Sequence, residues 1–139
     1  MTVAFETVRL TLTGRMAAFT GIEQSRVEYA NAKVPSSPTG LFVRPTTGLW
    51  CAFEILYATA FLAGMADKPQ YRRPGQIVIQ CFCLKREGLS AINKLADALS
   101  DHFQAWQSGE IECMEASQVV VGDYESFYQI NVNVRFRAG

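Results

Sequence analysis

Four cysteines and one histidine are the residues of this sequence with the widest range of possible chemistry. The cysteines are Cys51, Cys81, Cys83 and Cys113, and the histidine is His102. Cys81 and Cys83 are two apart in a strand-like run, which places both side chains on one face. A zinc site needs CxxC-type loops with a second pair, or further histidines, and the sequence lacks that pattern. It therefore predicts four small buried thiols, without a metal or redox centre.

His102 and three glutamates are the other candidates for acid–base or metal chemistry. Asp101 precedes His102 in a helical stretch, where adjacent residues point in different directions, so this carboxylate is not expected to orient the imidazole. A histidine near a helix C-terminus is favoured by the dipole alone. Glu110, Glu112 and Glu115 would bind a divalent cation only if they converged, and a solvated acidic edge is the simpler interpretation. We expect no catalytic residue, cofactor or metal ion.

A long segment with an apolar start and a basic end is the first candidate for partner binding. We call residues 58–75 the flap, because they would form a long hairpin if Leu49–Tyr57 pairs with Gln76–Lys85. Its apolar tip has few ways to be buried within one small domain, so burial against another subunit is expected. The predicted contact residues of the flap are Phe61, Leu62, Met65, Tyr71, Arg72 and Arg73.

The C-terminal strand supplies the second candidate surface. Residues 127–137 alternate between apolar and polar side chains, which is typical of a half-buried antiparallel strand. The polar face suggests a protein contact at Asn131, Asn133 and Arg135, since arginine is enriched at interfaces. A nucleic-acid contact is the alternative, but no aromatic residues are interleaved on this face. The chain has 13 basic and 13 acidic residues, and this balance argues against a protein that neutralises phosphates.

The elements that must position these residues fit one domain, residues 1–139, of 49% hydrophobic composition. No leader pattern and no apolar run of about 20 residues is seen, so no membrane contact is expected. Helices are predicted at Thr2–Phe19 and over residues 89–106. Strands are predicted at Leu41–Arg44, Leu49–Tyr57, Ile77–Leu84, Glu112–Val121 and Phe127–Arg137, and Gln24–Ala30 is a further short extended piece.

The resulting architecture is α+β, with a mixed, mainly antiparallel sheet of about four to five strands and two helices in the order α-β-β-β-α-β-β. Residues 77–84 are apolar on both alternating sides, so both sheet faces are expected to be covered there. The second helix would cover one face. The N-terminal helix is the candidate for the other.

Several segments resemble the tail terminator proteins of long-tailed bacteriophages, including the prophage tail-completion group. The resemblance extends over essentially the whole chain, and the pieces that carry it are VEYANAKVP (27–35), LFVRPT (41–46), RRPGQIVIQCF (72–82), KLADALSDHF (94–103) and YQINVNVRFR (128–137). The chain departs from many such proteins at CFCLKREG (81–88), where a strand end rich in proline and glycine is common.

The resemblance implies a structural virion protein rather than an enzyme. Such a protein forms a homo-oligomeric ring, usually a hexamer, that caps the tail tube, ends tube polymerisation and joins the tail to the head-completion complex. Its partners would be the tail tube protein and a connector protein, first in the host cytoplasm and then at the head-proximal end of the virion tail. Another head–tail connector, a small ligand-binding domain with a pocket under the flap, and a nucleic-acid-binding module are the alternatives.

Overall fold

The computed structural model describes residues 2–35, 37–64 and 70–139. Two α-helices, one short 3₁₀ helix (Gln24–Arg26) and seven strands are present in these residues. The α-helices are α1 (Phe5–Ala17) and α2 (Ser90–Phe103). The strands are β1 (Val27–Tyr29), β2 (Trp50–Tyr57), β3 (Phe61–Gly64), β4 (Gln70–Leu84), β5 (Gln107–Ser108), β6 (Ile111–Tyr124) and β7 (Phe127–Ala138). None of the described helices is long and apolar enough to cross a membrane.

The strands form one mixed sheet with the order β1-β2-β4-β7-β6-β5, and β3 pairs with β4 outside this path. β1 lies parallel to β2, whereas the other described pairs are antiparallel. The predicted α+β class with a mainly antiparallel sheet and two helices is confirmed. The predicted strand number is too low, and the observed order is α-β-β-β-β-α-β-β-β. β1, β3 and β5 have three, four and two residues, too few to show a clear period of two in the sequence.

Both helices pack on the same face of the sheet. α1 buries Val8, Leu12 and Met16, and α2 buries an apolar stripe that includes Leu95 and Leu99, in one shared core with the inward side chains of β4 and β7. The expectation that the N-terminal helix covers the second face is therefore wrong. The two helices meet at Arg15 and His102, and both contribute side chains to this core.

The second face of the sheet carries a smaller aromatic cluster at one end. Trp50, Phe82 and Phe127 are buried together, and Phe42 packs on them from the preceding loop with its ring 5.7 Å from that of Trp50. The predicted strand Leu41–Arg44 is wrong, because this segment is a loop that lies against the aromatic cluster. Pro45 ends it without a ladder partner, which is typical of a proline that follows extended backbone.

Candidate interaction surfaces

The described part of the flap forms a two-stranded ribbon at the end of the sheet. β2 and β4 pair as predicted, with Tyr57 opposite Gly75. Beyond this point β3 pairs with the start of β4, and Leu62 lies opposite Tyr71. β7 reaches β4 only as far as Arg73, so among the described residues the segment 70–72 pairs with β3 alone. We call residues 61–64 and 70–72 the ribbon.

The ribbon exposes two large side chains that the sequence analysis placed at an interface. Leu62 and Tyr71 are each 45% exposed. Such a cross-strand pair normally packs against a third element. Arg72 lies in the ribbon opposite Phe61, whereas Met65 lies outside the described residues.

The base of the ribbon is tied to the start of the chain. The Tyr71 amide donates a hydrogen bond to Thr2 Oγ1 at 2.9 Å, and the Arg73 guanidinium donates one to the Val3 carbonyl oxygen at 2.8 Å. The same guanidinium lies 4.0 Å from the ring centroid of Phe5, in cation–π contact. Arg73 is therefore engaged within its own chain and positions the ribbon against α1.

The polar face of β7 lies on the side of the sheet without helices. Gln129 is buried there and its side-chain amide donates to Asn131 Oδ1 at 2.7 Å. Asn133 Oδ1 is buried and has no hydrogen-bond partner in the described part of the chain. Gln80 of β4 is opposite Asn131. These four residues form an uncharged amide surface, and the predicted contacts Asn131 and Asn133 belong to it.

The arginines of β7 pair with glutamates considered above as cation ligands. Arg135 contacts Glu115 at 2.6 Å and Arg137 contacts Glu112 at 2.9 Å, both across the β6–β7 pair. These side chains are well exposed, so each pair contributes little to stability. A hydrogen bond from the backbone of Glu115 itself and then the bond from Arg135 lower the pKa of the Glu115 carboxyl. The described residues contain no group of three metal-ligating side chains.

His102 is a packing residue between the two helices. Its Nε2 lies 2.7 Å from the Arg15 carbonyl oxygen, and Arg15 donates in return to the His102 carbonyl oxygen. Its ring makes edge contacts with Phe19 and Phe103. Burial lowers the pKa of the imidazole below its ordinary value, against the smaller effect of the Arg15 hydrogen bond.

All four cysteines are free and buried, as the sequence predicts. Burial raises the pKa of Cys51 to about 12 and that of Cys113 to about 11, and it also raises the pKa of Cys81 and of Cys83. The thiolate is the reactive form of cysteine, so these four thiols should react slowly in the folded protein.

This burial predicts slow thiol labelling. At pH 8 the folded protein should react with a disulfide reagent at least ~100-fold more slowly than a free cysteine does. The same protein in concentrated urea should release four equivalents of thiol at the free rate, which is the control. A thiol that reacts rapidly in the folded protein would contradict the described burial.

Two strands of the sheet, β2 and β6, have edges that are open over part of their length, which the sequence does not predict. β1 covers β2 only at Cys51–Phe53, so the side of residues 54–57 that faces away from β4 has no described strand beside it. This edge borders a groove of about 550 Å³ between α1 and β2, lined by Phe5, Arg9, Ile55 and Tyr57 among others. β5 covers β6 only at Ile111 and Glu112, so residues 117–121 are also open. Periodicity assigns a face to a side chain, but it does not say which strands stand at an edge.

No family model matches the chain, and no curated protein matches it. A solved structure of a protein whose name states no function is similar over 99% of this chain and 96% of its own length. The TM-score is 0.70 at 13% sequence identity. At this identity the similarity shows a shared fold alone.

Proposed function

We propose that this chain is a tail terminator of a long-tailed bacteriophage. It forms a ring, with six subunits as the expected number, on the head-proximal end of the tail tube. There it ends tube polymerisation and provides the surface to which the head-completion complex binds. The protein acts in the host cytoplasm during assembly and then remains in the virion tail.

The ribbon is the observation that carries this proposal. An isolated two-stranded hairpin is only marginally stable in water. Here the hairpin extends past β7 and exposes Leu62 and Tyr71 side by side. Docking on another protein would bury that apolar pair and stabilise the ribbon. A projecting apolar contact at one end of the strands suits a subunit that binds the end of a tube.

The resemblance of the sequence to tail terminators supports the proposal independently. The resembling segments include most of β4, α2 and β7, and also β1 and the loop that carries Phe42. Another head–tail connector would use similar contacts, and a binding experiment with purified tubes separates the two. A terminator binds the tube itself, whereas a connector of the head side binds only the completed tail.

A small-ligand-binding domain is the second candidate, and the groove beside α1 is the observation that favours it. Its volume of about 550 Å³ is within the range of ligand sites, which have volumes of roughly 300–1,000 Å³. Its polar groups include the exposed ion pair of Glu6 and Arg9. A ligand screen by thermal shift tests this candidate, and binding that Phe5→Ala removes would support it.

Charged substitutions in the ribbon test the terminator proposal. The double variant with Leu62→Asp and Tyr71→Asp should bind tail tubes at least ~100-fold more weakly, because central apolar contacts dominate interface energies. Co-sedimentation with tubes measures the change. Its matched control combines Leu41→Asp with Val43→Asp, which places the same two charges on side chains that are 68% and 74% exposed in a loop. Equal binding by wild type and the double variant would remove the ribbon from the tube contact, provided circular dichroism shows folded protein.

A further inference from the structure

The two open edges of the sheet fit each other. We infer that β6 of one copy docks on β2 of the next copy, so that the assembled ring is one continuous sheet. This inference rests on the proposed ring-forming function and says how the ring closes. The direction of the backbone amide groups at each edge decides how two copies can pair.

The open edge of β2 directs the amide groups of Ile55 and Tyr57 outward. The Ala58 amide donates to the Pro74 carbonyl oxygen of β4 at 2.9 Å, and the Phe53 carbonyl oxygen accepts from Ala30 on the opposite side at 3.1 Å. Successive residues of a strand direct their amide groups to alternate sides. Ile55 and Tyr57 therefore share the direction of Phe53, away from β4. Their side chains also share its face, on which both helices pack.

The open edge of β6 directs the amide groups of Gln118 and Val120 outward. After the bulge between Cys113 and Ala116, the Ala116 amide donates outward to the Gln104 side chain at 3.3 Å. By the same alternation, Gln118 and Val120 point away from β7. Both side chains lie on the face of the helices, and that of Gln118 donates to Asp97 of α2 at 3.0 Å.

Antiparallel pairing is the arrangement that matches these directions. In an antiparallel pair, opposite residues exchange both hydrogen bonds and their side chains share a face. Val120 opposite Ile55 places Gln118 opposite Tyr57, and the outward amide groups of all four residues are then paired. The helices of both copies remain on one face. In a parallel pair, an outward-directed residue bonds to the two neighbours of the residue opposite it, and the side chains of opposite residues share a face. The outward-directed residues of the second copy would then be those neighbours, whose side chains lie on the other face. Parallel pairing would therefore place the helices of the two copies on opposite faces.

The antiparallel pairing of β2 with β6 also determines the orientation of one copy relative to the next. Within one chain β2 and β6 run in opposite directions, because the three intervening pairs of β2, β4, β7 and β6 are each antiparallel. A neighbouring β6 antiparallel to β2 therefore belongs to a copy whose strands point the same way. The copies are related by rotation about an axis roughly along the strands. Such a contact is heterologous and forms a closed ring when the rotation closes.

The chemistry of the two edges favours a second copy as the occupant. Residues 117–121, SQVVV, carry no charge and no proline, and Val119, Val120 and Val121 are 46%, 64% and 49% exposed. Open strand edges in natural proteins are normally protected by a charged residue or a proline, or they are covered by another element. The receiving groove is apolar, with Arg9 at its wall. Docking would bring α2 of one copy, which carries Asp97, beside α1 of the next copy, where Arg9 is already paired with Glu6, so the contact depends on the matching strand edges and not on charge.

A disulfide trap tests the pairing directly. In the full chain with Ile55→Cys and Val120→Cys, mild oxidation should produce a ladder of linked chains that ends at one closed species. Opposite residues of an antiparallel pair have the Cα separation that a disulfide needs. The native cysteines are buried and contribute little background. The matched control combines Ile55→Cys with Val119→Cys, whose side chain points to the other face and should cross-link at least ~10-fold less.

A charge substitution at the edge of β6 tests the same pairing without cysteine chemistry. Val120→Lys should dissociate the ring to single chains, whereas Val43→Lys in the exposed loop should leave it intact. Equal cross-linking in the test and control pairs, or a ring that tolerates Val120→Lys, would overturn the inference. Tube binding separates this inference from the proposed function. Cross-linked rings that do not bind tail tubes would contradict the terminator function but not the strand pairing. Rings that bind tubes but do not form the cross-link would contradict the strand pairing but not the terminator function.

Discussion

Trp50→Ala is expected to lower the free energy of unfolding by about 3–5 kcal/mol, as other large aromatic truncations in cores do. Trp50 is buried on the face of the sheet without helices, where its ring stacks on Phe82 with centroids 4.1 Å apart. Phe127 contacts its edge at 5.3 Å, and Phe42 closes the cluster from the loop. Removal of the indole leaves a cavity that these rings cannot fill without moving the loop off the sheet.

Urea denaturation followed by circular dichroism measures this change. Trp50→Phe is the matched control, because it keeps an aromatic ring and removes an indole N–H that has no hydrogen-bond partner in the described residues. The control should cost clearly less than Trp50→Ala, because it leaves a smaller cavity and removes an unpaired donor. A loss below about 1 kcal/mol for Trp50→Ala would show that the aromatic cluster contributes little, against the packing described.

Gly75→Ala should cost about 3 kcal/mol, the upper part of the usual range for overpacking. An added Cβ would lie 2.3 Å from the Leu56 carbonyl oxygen and 2.7 Å from Cζ of Phe136. The first atom belongs to the backbone, so β2 and β4 must separate locally. Because Leu56 lies within the open edge of β2, the same change should also weaken ring formation.

Gly14→Ala is the control for this substitution. Apart from its chain neighbours and the backbone of α1 itself, nothing lies within 4 Å of an added Cβ at Gly14. The control should stabilise the protein by about 0.5–1 kcal/mol, since alanine is the better helix former. Thermal unfolding of both variants provides the comparison. A neutral Gly75→Ala would contradict the close approach of β2 and β4.

The regular elements of the fold could be predicted because apolar side chains recur in them at helix or strand spacing. The apolar stripe of α2 and the alternation of β7 are both present as expected, and β2 pairs with β4 at the predicted position. The location of α1 could not be predicted in this way. An apolar run on both sides of β4 indicates that both faces are covered, but it does not identify the cover. A loop with Phe42 takes one face, and both helices share the other.

The same distinction, between features that a side-chain pattern shows and features that depend on neighbouring elements, holds for the candidate surfaces. The ribbon could be predicted because an apolar tip between two pairing strands is visible in the sequence. The open edges could not, because they depend on how far the short strands β1 and β5 extend along their neighbours. Hydrogen-bond directions within a strand become known only when the neighbours on each side are known.

Native mass spectrometry of the full chain, alone and bound to tail tubes, measures the mass of the assembled protein and so decides whether the ring exists. We expect one discrete closed oligomer, near six chains, that Val120→Lys reduces to single chains and Val43→Lys does not. Single chains in both settings, or an open series of increasing masses, would contradict a terminator ring closed through β2 and β6.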